Sequence, residues 1–425
     1  MSDFRQGIDF LLGQSEISLL VIFWYFLIFE VPRYASAFVA LALAEIFPRH
    51  EPTSQRGPVI DGSRISITIV GHNEADSIEH CVRSLRDQSI QGIEIVIVSD
   101  GSTDNMASRA AQLVSKGLVN RALSTDLRGG KSAGMNLSIA NATGDIIINV
   151  DCDCSFDRFA IERIVAPFID SEIGATCGDI VVRNSGQSLV ARFQAIEYVF
   201  AITVGKRLSD ALGLVSCVSG AFSAFRRTAL REVRGWDVGG GEDLDLCMRL
   251  RAVGWRIAFV HDAICYTDAP ATLWAFIRQR LRWERDSVRL RYRKHRPLMN
   301  PFSERFQALE TVHQVEFLLF NVLAAVIFPI YIVWLFTQYG DFAIVVLLAI
   351  QIAMFGFDTV LLLLAAIITK RHVFFSNVIY LPGFAVFNGY LMRFVRLWAY
   401  AEEWMRFASI NDNYVPQKVR VQKRW

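Results

Sequence analysis

Apolar residues crowd both ends of this chain and thin out in its middle. Residues 17–29 are largely apolar, Glu30, Pro32 and Arg33 interrupt the run, and residues 34–47 are apolar again apart from Glu45. Neither half alone reaches the ~20 helical residues that a bilayer core of ~30 Å requires. One long, tilted or kinked membrane helix is the simpler reading. From residue 65 the pattern changes to short apolar runs, ISITIVG, IEIVIVSDG and IIINVDCD, with helix-like stretches over residues 75–87 and 104–116 between them. This alternation predicts a mostly parallel sheet flanked by helices. Ligands of such sheets bind beyond the carboxyl ends of strands, where Asp100 and Asp151 fall. Residues 317–336 and 342–369 then read as two membrane spans joined by a short polar turn. Residues 374–404 are interrupted by Pro382, Gly383, Asn388, Arg393 and Arg396. They fit either a third span or a re-entrant segment followed by an interfacial helix.

The pattern therefore divides the chain into an N-terminal membrane helix and linker (1–56), an α/β domain with interfacial helices (57–300), and a membrane and interfacial region with a basic tail (301–425). Composition agrees, because a hydrophobic share of 52% is too high for an ordinary soluble protein and the excess lies at the ends. Charge supplies an orientation. Asp3, Asp9 and Glu16 stand before the first apolar segment against Arg5, whereas Arg49, His50 and Arg56 follow it. The positive-inside rule then puts the N-terminus outside and the central domain in the cytoplasm. Lys370, Arg371 and His372, and the basic tail over residues 418–424, belong on the same cytoplasmic side. The expectation is an integral protein of the plasma (inner) membrane. The first apolar segment lacks a basic n-region and a small-residue cleavage site, so it reads as an anchor rather than a removed signal. Seven cysteines without CxxC spacing predict neither a disulfide framework nor a zinc site. Cys152 and Cys154 read as small buried residues of a reduced compartment.

Four signatures in the middle carry chemistry. Asp100, in VSDGSTD, ends an apolar run and is followed by a glycine that permits close backbone approach. Its carboxylate suits hydrogen bonds from a base or ribose, or equally a cap on the next helix. Asp151 and Asp153 leave the run IIINV together, and hard carboxylate oxygens suit Mg²⁺ or Mn²⁺ bridging two phosphates; a solvated loop is the bland alternative. Glu242 and Asp243 follow three glycines and open a helix, so they serve either as caps or, for Asp243, as a general base toward an acceptor hydroxyl. Gln279, Arg282 and Trp283 are spaced i, i+3, i+4 and share one helical face. Arginine neutralises a departing diphosphate, and indole stacks on a sugar ring. Nine Lys or Arg lie between residues 278 and 296, which also suits an amphipathic helix at a lipid surface. No nucleic-acid-binding motif accompanies that run, so nucleic acid is not an expected partner. The string Gly129-Gly130-Lys131-Ser132 fails as a P-loop, because Thr125 stands where the first glycine belongs; Lys131 is then either a donor-binding residue or an ordinary surface lysine.

In their order and spacing these signatures resemble the processive membrane members of glycosyltransferase family 2: the cellulose, chitin, hyaluronan, curdlan and poly-N-acetylglucosamine synthases. The likeness covers roughly residues 65–296 and, by layout alone, the flanking apolar segments. It implies a Rossmann-like α/β domain of the GT-A type, cytoplasmic, with flanking transmembrane and interfacial helices. It further implies an inverting, metal-dependent enzyme that polymerises a β-linked glycan from a UDP-sugar and moves it across the bilayer, with accessory export or regulatory proteins as possible partners. By the same resemblance Asp100 contacts the uracil, and Asp151 lies at the ribose and diphosphate. Asp153, with Asp151, holds the metal. Asp243 is the base, and Glu242, Ser219, Gly220 and Trp283 line the acceptor side. Gln279, Arg280, Arg282 and Lys131 hold the donor. Gln194, Glu197 and Tyr198, with Arg192, resemble the first interfacial helix. A glycine before the Glu-Asp pair and the lack of a recognisable cyclic-di-GMP-binding tail separate the chain from cellulose synthases. A different acidic motif separates it from hyaluronan synthases. Two other readings compete. Ceramide glucosyltransferase-like enzymes, which add one sugar to a lipid, carry the same motifs. A non-catalytic scaffold would have lost Asp243 or the Asp151/Asp153 pair, and this chain retains both.

Overall fold

The three strongest apolar runs of the middle region become strands buried along their whole length: β1 (Ile65–Gly71), β2 (Glu94–Asp100) and β4 (Ile146–Val150). They belong to a computed structural model that describes residues 2–35, 38, 61–369, 371, 373–412 and 416–417. The distal part of the first expected span and the basic tail at 418–424 lie outside the described residues. Between β2 and β4 runs β3 (Arg121–Thr125), and after them come β5 (Ser155–Phe156), β6 (Ile173–Val182), β7 (Phe222–Arg226) and β8 (Arg256–Thr267). They form one sheet in the order β3-β2-β1-β4-β7-β6-β8-β5.

The expectation of a mostly parallel sheet holds for one half. β3, β2, β1 and β4 run parallel. From β4 onward the sheet is mixed, because β7 is antiparallel to both β4 and β6, β8 is parallel to β6, and the two-residue β5 is antiparallel to β8. The strand order reverses at β1, whose neighbours are β2 and β4, and crevices form at such switch points.

Alternation along the strands sorts side chains onto two faces. Ile65, Ile67 and Ile69 of β1, Ile95 and Ile97 of β2 and Ile146 and Ile148 of β4 share one apolar core. Val70, Val96, Val98 and Ile147 enter the other. The helix Ile78–Arg86 covers the first face with Ile78, Cys81, Val82 and Leu85, an i, i+3, i+4, i+7 stripe. The helices Lys131–Asn141 and Glu242–Ala252 cover the second with Met135, Leu246, Cys247 and Leu250. Covered on both sides, the sheet presents its strand ends as the accessible polar edge.

Gly101, just past β2, has φ +59°, and a Cβ there would overlap the backbone nitrogen of Arg128. Gly101→Ala should therefore destabilise this unit by roughly 2 kcal/mol or more, left-handed strain adding to a clash with immobile backbone. A thermal melt in detergent checks this. An unchanged midpoint would mean that the 101–128 contact is loose.

The chain divides into two compact units. One gathers the N-terminal helices with Thr311–Glu402; the other holds the sheet, continues to Glu310, and takes in the segment from Glu403. Ion pairs and hydrogen bonds fasten both of these junctions to the sheet unit. Glu310 is buried in an ion pair with Arg251, and Gln307 donates to the carbonyls of Arg251 and Ala252. Glu403, fully buried, pairs with Arg293 at 2.7 Å and accepts from Ser409.

Among the described residues, Ala308–Tyr339, Phe342–Thr369 and Phe374–Arg406 are three helices long and apolar enough to cross a membrane. Of the two options for residues 374–404, the long helix is observed, with a 3₁₀ turn at Val378–Tyr380 and a π segment at Phe387–Leu391 absorbing the irregular residues. Before residue 36 the helices Glu16–Ile22 and Trp24–Ala35 meet at 71° at Phe23, ahead of Pro32, the geometry of a broken span or of a re-entrant loop. The charges that broke the apolar runs find partners here. Glu30 pairs with Arg393, whose guanidinium lies 5.2 Å from the Tyr25 ring centroid, and Tyr34 donates to Asp358 at 2.6 Å.

Candidate active site

The strand ends are tied together by short polar loops. Asp100, at the end of β2, is buried, and its two carboxylate oxygens accept the N–H groups of Gly129 (2.6 Å) and Gly130 (2.7 Å). Both oxygens are engaged by backbone, so the visible task of Asp100 is to pin the glycine loop. Gly130 takes φ +87° there and starts the helix Lys131–Asn141. The loop in turn aims Lys131. Its ammonium lies 2.7 Å from Asp151 Oδ1 and 3.5 Å from Glu242 Oε1, with only 17% of the side chain exposed. Lys131 is thus a partly buried cation between two of the expected acidic motifs, not an ordinary surface lysine.

Asp153 follows two residues after Asp151. Thr267 donates to its Oδ2 at 3.2 Å, and Arg183, itself paired with Asp268 at 2.8 Å, donates to its carbonyl. Burial, then the charge of Asp151, pushes the Asp153 carboxyl above the usual aspartate range. Glu74 was missed by sequence reasoning. It follows β1 directly, in GHNEAD, and burial together with the charges of Asp153, Asp151 and Asp104 pushes it up, against a hydrogen bond from Ser77. The strand-end position that singled out Asp100 and Asp151 would have found it. Asn73 beside it takes φ +62° and accepts the N–H of Thr103 at 2.7 Å, which ties this loop to the one after Asp100. Among the described residues no three His, Cys, Asp or Glu side chains form a ready-made metal site. The hard carboxylate oxygens of Asp151 and Asp153 are nevertheless of the kind that suits a divalent cation, and Asp153 is the more crowded of the two by burial and by its neighbour's charge.

The loop over residues 219–221 comes next. Asn149 Nδ2 donates to the Gly220 carbonyl at 2.8 Å, the Asp151 N–H to that of Ala221, and Lys206 to Ser219 Oγ at 2.7 Å. A methyl group on Gly220 would stand 3.5 Å from Asp243 Oδ2 and 3.6 Å from Lys131 Nζ. Gly220 therefore faces both charged groups across open van der Waals distance. Asp243 uses Oδ1 to accept the N–H of Leu244 at 2.8 Å within the first turn of its helix, which leaves Oδ2 as the oxygen nearest Gly220. Burial raises the Glu242 carboxyl, Lys131 opposes that, Asp243 adds to it, and Arg282 lowers it again.

The basic helix Leu273–Arg289 supplies Arg282 to this group, and it buries Phe276, Arg280 and Leu281. Arg280 is buried on that helix. Its Nη2 donates to Glu197 at 2.8 Å, and its guanidinium lies 4.6 Å from the Trp283 ring centroid, which makes it a brace for the indole. Gln279 keeps a buried Oε1 without a hydrogen-bond partner. Thus Asp100, Lys131, Asp151, Asp153, Gly220, Glu242, Asp243 and Arg282 form one connected group. Ser219 adjoins Gly220 in the chain, and Arg280 stacks beside Trp283.

The family model described as Glycosyltransferase like family 2 matches residues 63–285, about half of the chain. Poly-beta-1,6-N-acetyl-D-glucosamine synthase of Staphylococcus aureus (strain MSSA476) is 30% identical over 223 residues, 52% of this chain and 53% of that protein. An N-acetylglucosaminyltransferase of Rhizobium meliloti (strain 1021) is 28% identical over 237 residues, 53% of this chain and 56% of that protein. The chain spans about half the length of the curated relatives it matches. The mannosyltransferase PcManGT from Pyrobaculum calidifontis, solved in complex with GDP-Man and Mn2+, superposes with a TM-score of 0.51 at 17% identity, covering 87% of this chain and 99% of that one. That likeness is one of fold, a GT-A-like mixed sheet.

Proposed function

This chain belongs to glycosyltransferase family 2, and from that premise we propose that it polymerises a β-linked glycan from a UDP-sugar by inverting transfer, with its long apolar helices serving export across the bilayer. The observation that carries the proposal is the position of Asp243. One carboxylate oxygen accepts the N–H of Leu244, while the other faces Gly220 beside Lys131, which in turn reaches Asp151.

In the proposed reaction the acceptor hydroxyl oxygen forms a bond to C1 of the donor sugar as the bond from C1 to the diphosphate oxygen breaks. Asp243 takes the hydroxyl proton, and the electron pair leaves with UDP. Lys131 and Arg282 offset the negative charge that grows on the diphosphate. A divalent cation, held by Asp153 with Asp151 beside it, would supply further charge neutralisation there. Trp283, braced by Arg280, offers the terminal sugar of the acceptor a flat apolar platform.

Purified protein should release UDP from one member of a UDP-sugar panel only when Mn²⁺ or Mg²⁺ is present. UDP-N-acetylglucosamine is the first candidate, from the names of the relatives. No turnover with any UDP-sugar while another nucleotide sugar is consumed would refute the donor assignment.

Trp283→Ala should cut polymer yield at least tenfold while changing UDP affinity less than about twofold. Stacking contributes on the order of 1 kcal/mol, yet a misplaced hydroxyl costs much more in rate. Product yield and UDP titration on the same preparation check this. Equal losses in both would make Trp283 an anchor of the basic helix instead.

A further inference from the structure

The loop that delivers Asp243 has little of its own to hold it. Gly239, Gly240 and Gly241 precede the Glu-Asp pair, Gly239 at φ +132° and Gly241 at φ +66°. Three glycines in a row carry the largest backbone freedom a chain offers. The loop is held from outside, by the end of the basic helix and the turn after it. Arg289, buried, donates through Nη2 to the Gly240 carbonyl at 2.6 Å and to Asp286 Oδ1 at 3.0 Å. The Asp286 carboxylate packs so close to Gly240 that a Cβ there has no room. Lys294 reaches Asp237, before the glycines, at 2.7 Å, and Asp245, after the Glu-Asp pair, at 2.6 Å. His295 Nε2 also lies 2.8 Å from Asp245 Oδ1. Leu244 and Met248 close the contact by packing against Leu290 and Leu298.

We infer that Asp286, Arg289 and Lys294 are positioning residues, a clasp that grips the loop on both sides of Asp243 and sets where its free carboxylate oxygen points. The inference rests on the reading of Asp243 as the base. Stability alone is a poor reason for such a device, since desolvating a guanidinium and a carboxylate costs about what their attraction returns, and well-packed apolar residues stabilise as much. Geometry is what the clasp supplies. It also gives the basic helix two tasks in one rigid element, Arg282 toward the donor and Arg289 toward the base. The attacking hydroxyl and the leaving group are thereby referred to a common frame.

The test uses the full chain in detergent with Asp286→Ala and Arg289→Met, and Asp286→Asn as the conservative variant that keeps an acceptor for Arg289. Two quantities are read: kcat and KM for UDP release, and hydrogen–deuterium exchange of the peptide covering residues 237–245. Asp286→Ala and Arg289→Met should lower kcat about 10²-fold, the size of effect that a misplacement near 1 Å produces. Donor KM should stay within threefold, and the loop amides should exchange faster. Asp286→Asn should recover to within tenfold of the parent. Should Arg289→Met fail to fold, the two Asp286 variants decide the matter. Turnover within threefold of the parent in Asp286→Ala despite faster exchange, or unchanged exchange, would overturn the clasp. Failure of the base reading looks different: Asp243→Asn would turn over normally while the exchange result stood.

Discussion

Asp243→Asn should abolish sugar transfer and leave UDP binding intact. The substitution is well suited to this site, because the carboxamide oxygen can still accept the Leu244 N–H that Asp243 Oδ1 now accepts. The helix start and the surrounding ion pairs are therefore retained. What is lost is the ability of the second oxygen, which faces Gly220, to take a proton. General-base catalysis contributes about 10²–10⁴-fold in rate, so kcat for UDP release should fall by at least that much. UDP affinity, which depends on Lys131, Asp151 and Arg282 in this account, should change less than threefold. Near-normal turnover with an intact fold would leave Asp243 a helix cap and move the base elsewhere.

Asp153→Ala should remove activity and metal response together. Asp151, Asp153 and Glu74 crowd the same corner, and burial raises both Asp153 and Glu74. Lys131 gives compensation on the Asp151 side only, at 2.7 Å. Like charges held close together are destabilising until a cation neutralises them. Two effects follow with opposite signs. Without metal, Asp153→Ala should melt at or slightly above the parent temperature, because a source of repulsion has gone. With UDP and Mn²⁺ the parent should gain several degrees by preferential binding to the native state, and the variant should gain little. Turnover should fall 10²-fold or more. A variant that keeps the full Mn²⁺-dependent shift in melting temperature would take Asp153 out of the ligand set.

Much of this arrangement was readable before any coordinates. β1, β2 and β4 lie in the sheet centre with both faces covered, so each appears in sequence as an unbroken apolar run ending in a polar loop. The acidic strand ends followed directly. The mixed half of the sheet was harder, since β6 and β8 join through register shifts and β5 has two residues. Lys131 sat in a string that failed as a phosphate loop, and its importance depends on Asp100 bonding to Gly129 and Gly130 across 29 and 30 residues. The same limit explains Arg280. Its place in the Gln279–Trp283 signature is legible, but its partner Glu197 lies 83 residues earlier and no local pattern announces the pair. Glu30 and Arg393 are a similar case: each looked like an interruption of an apolar segment, and each is the other's counter-charge.

Product length measures the central claim most directly. The full chain, reconstituted in vesicles with Mn²⁺ and a limiting amount of the preferred UDP-sugar, should yield long β-linked chains while most acceptor ends stay unextended. An enzyme that instead converts the same donor into a lipid bearing one sugar, with no longer product at any donor concentration, would contradict it.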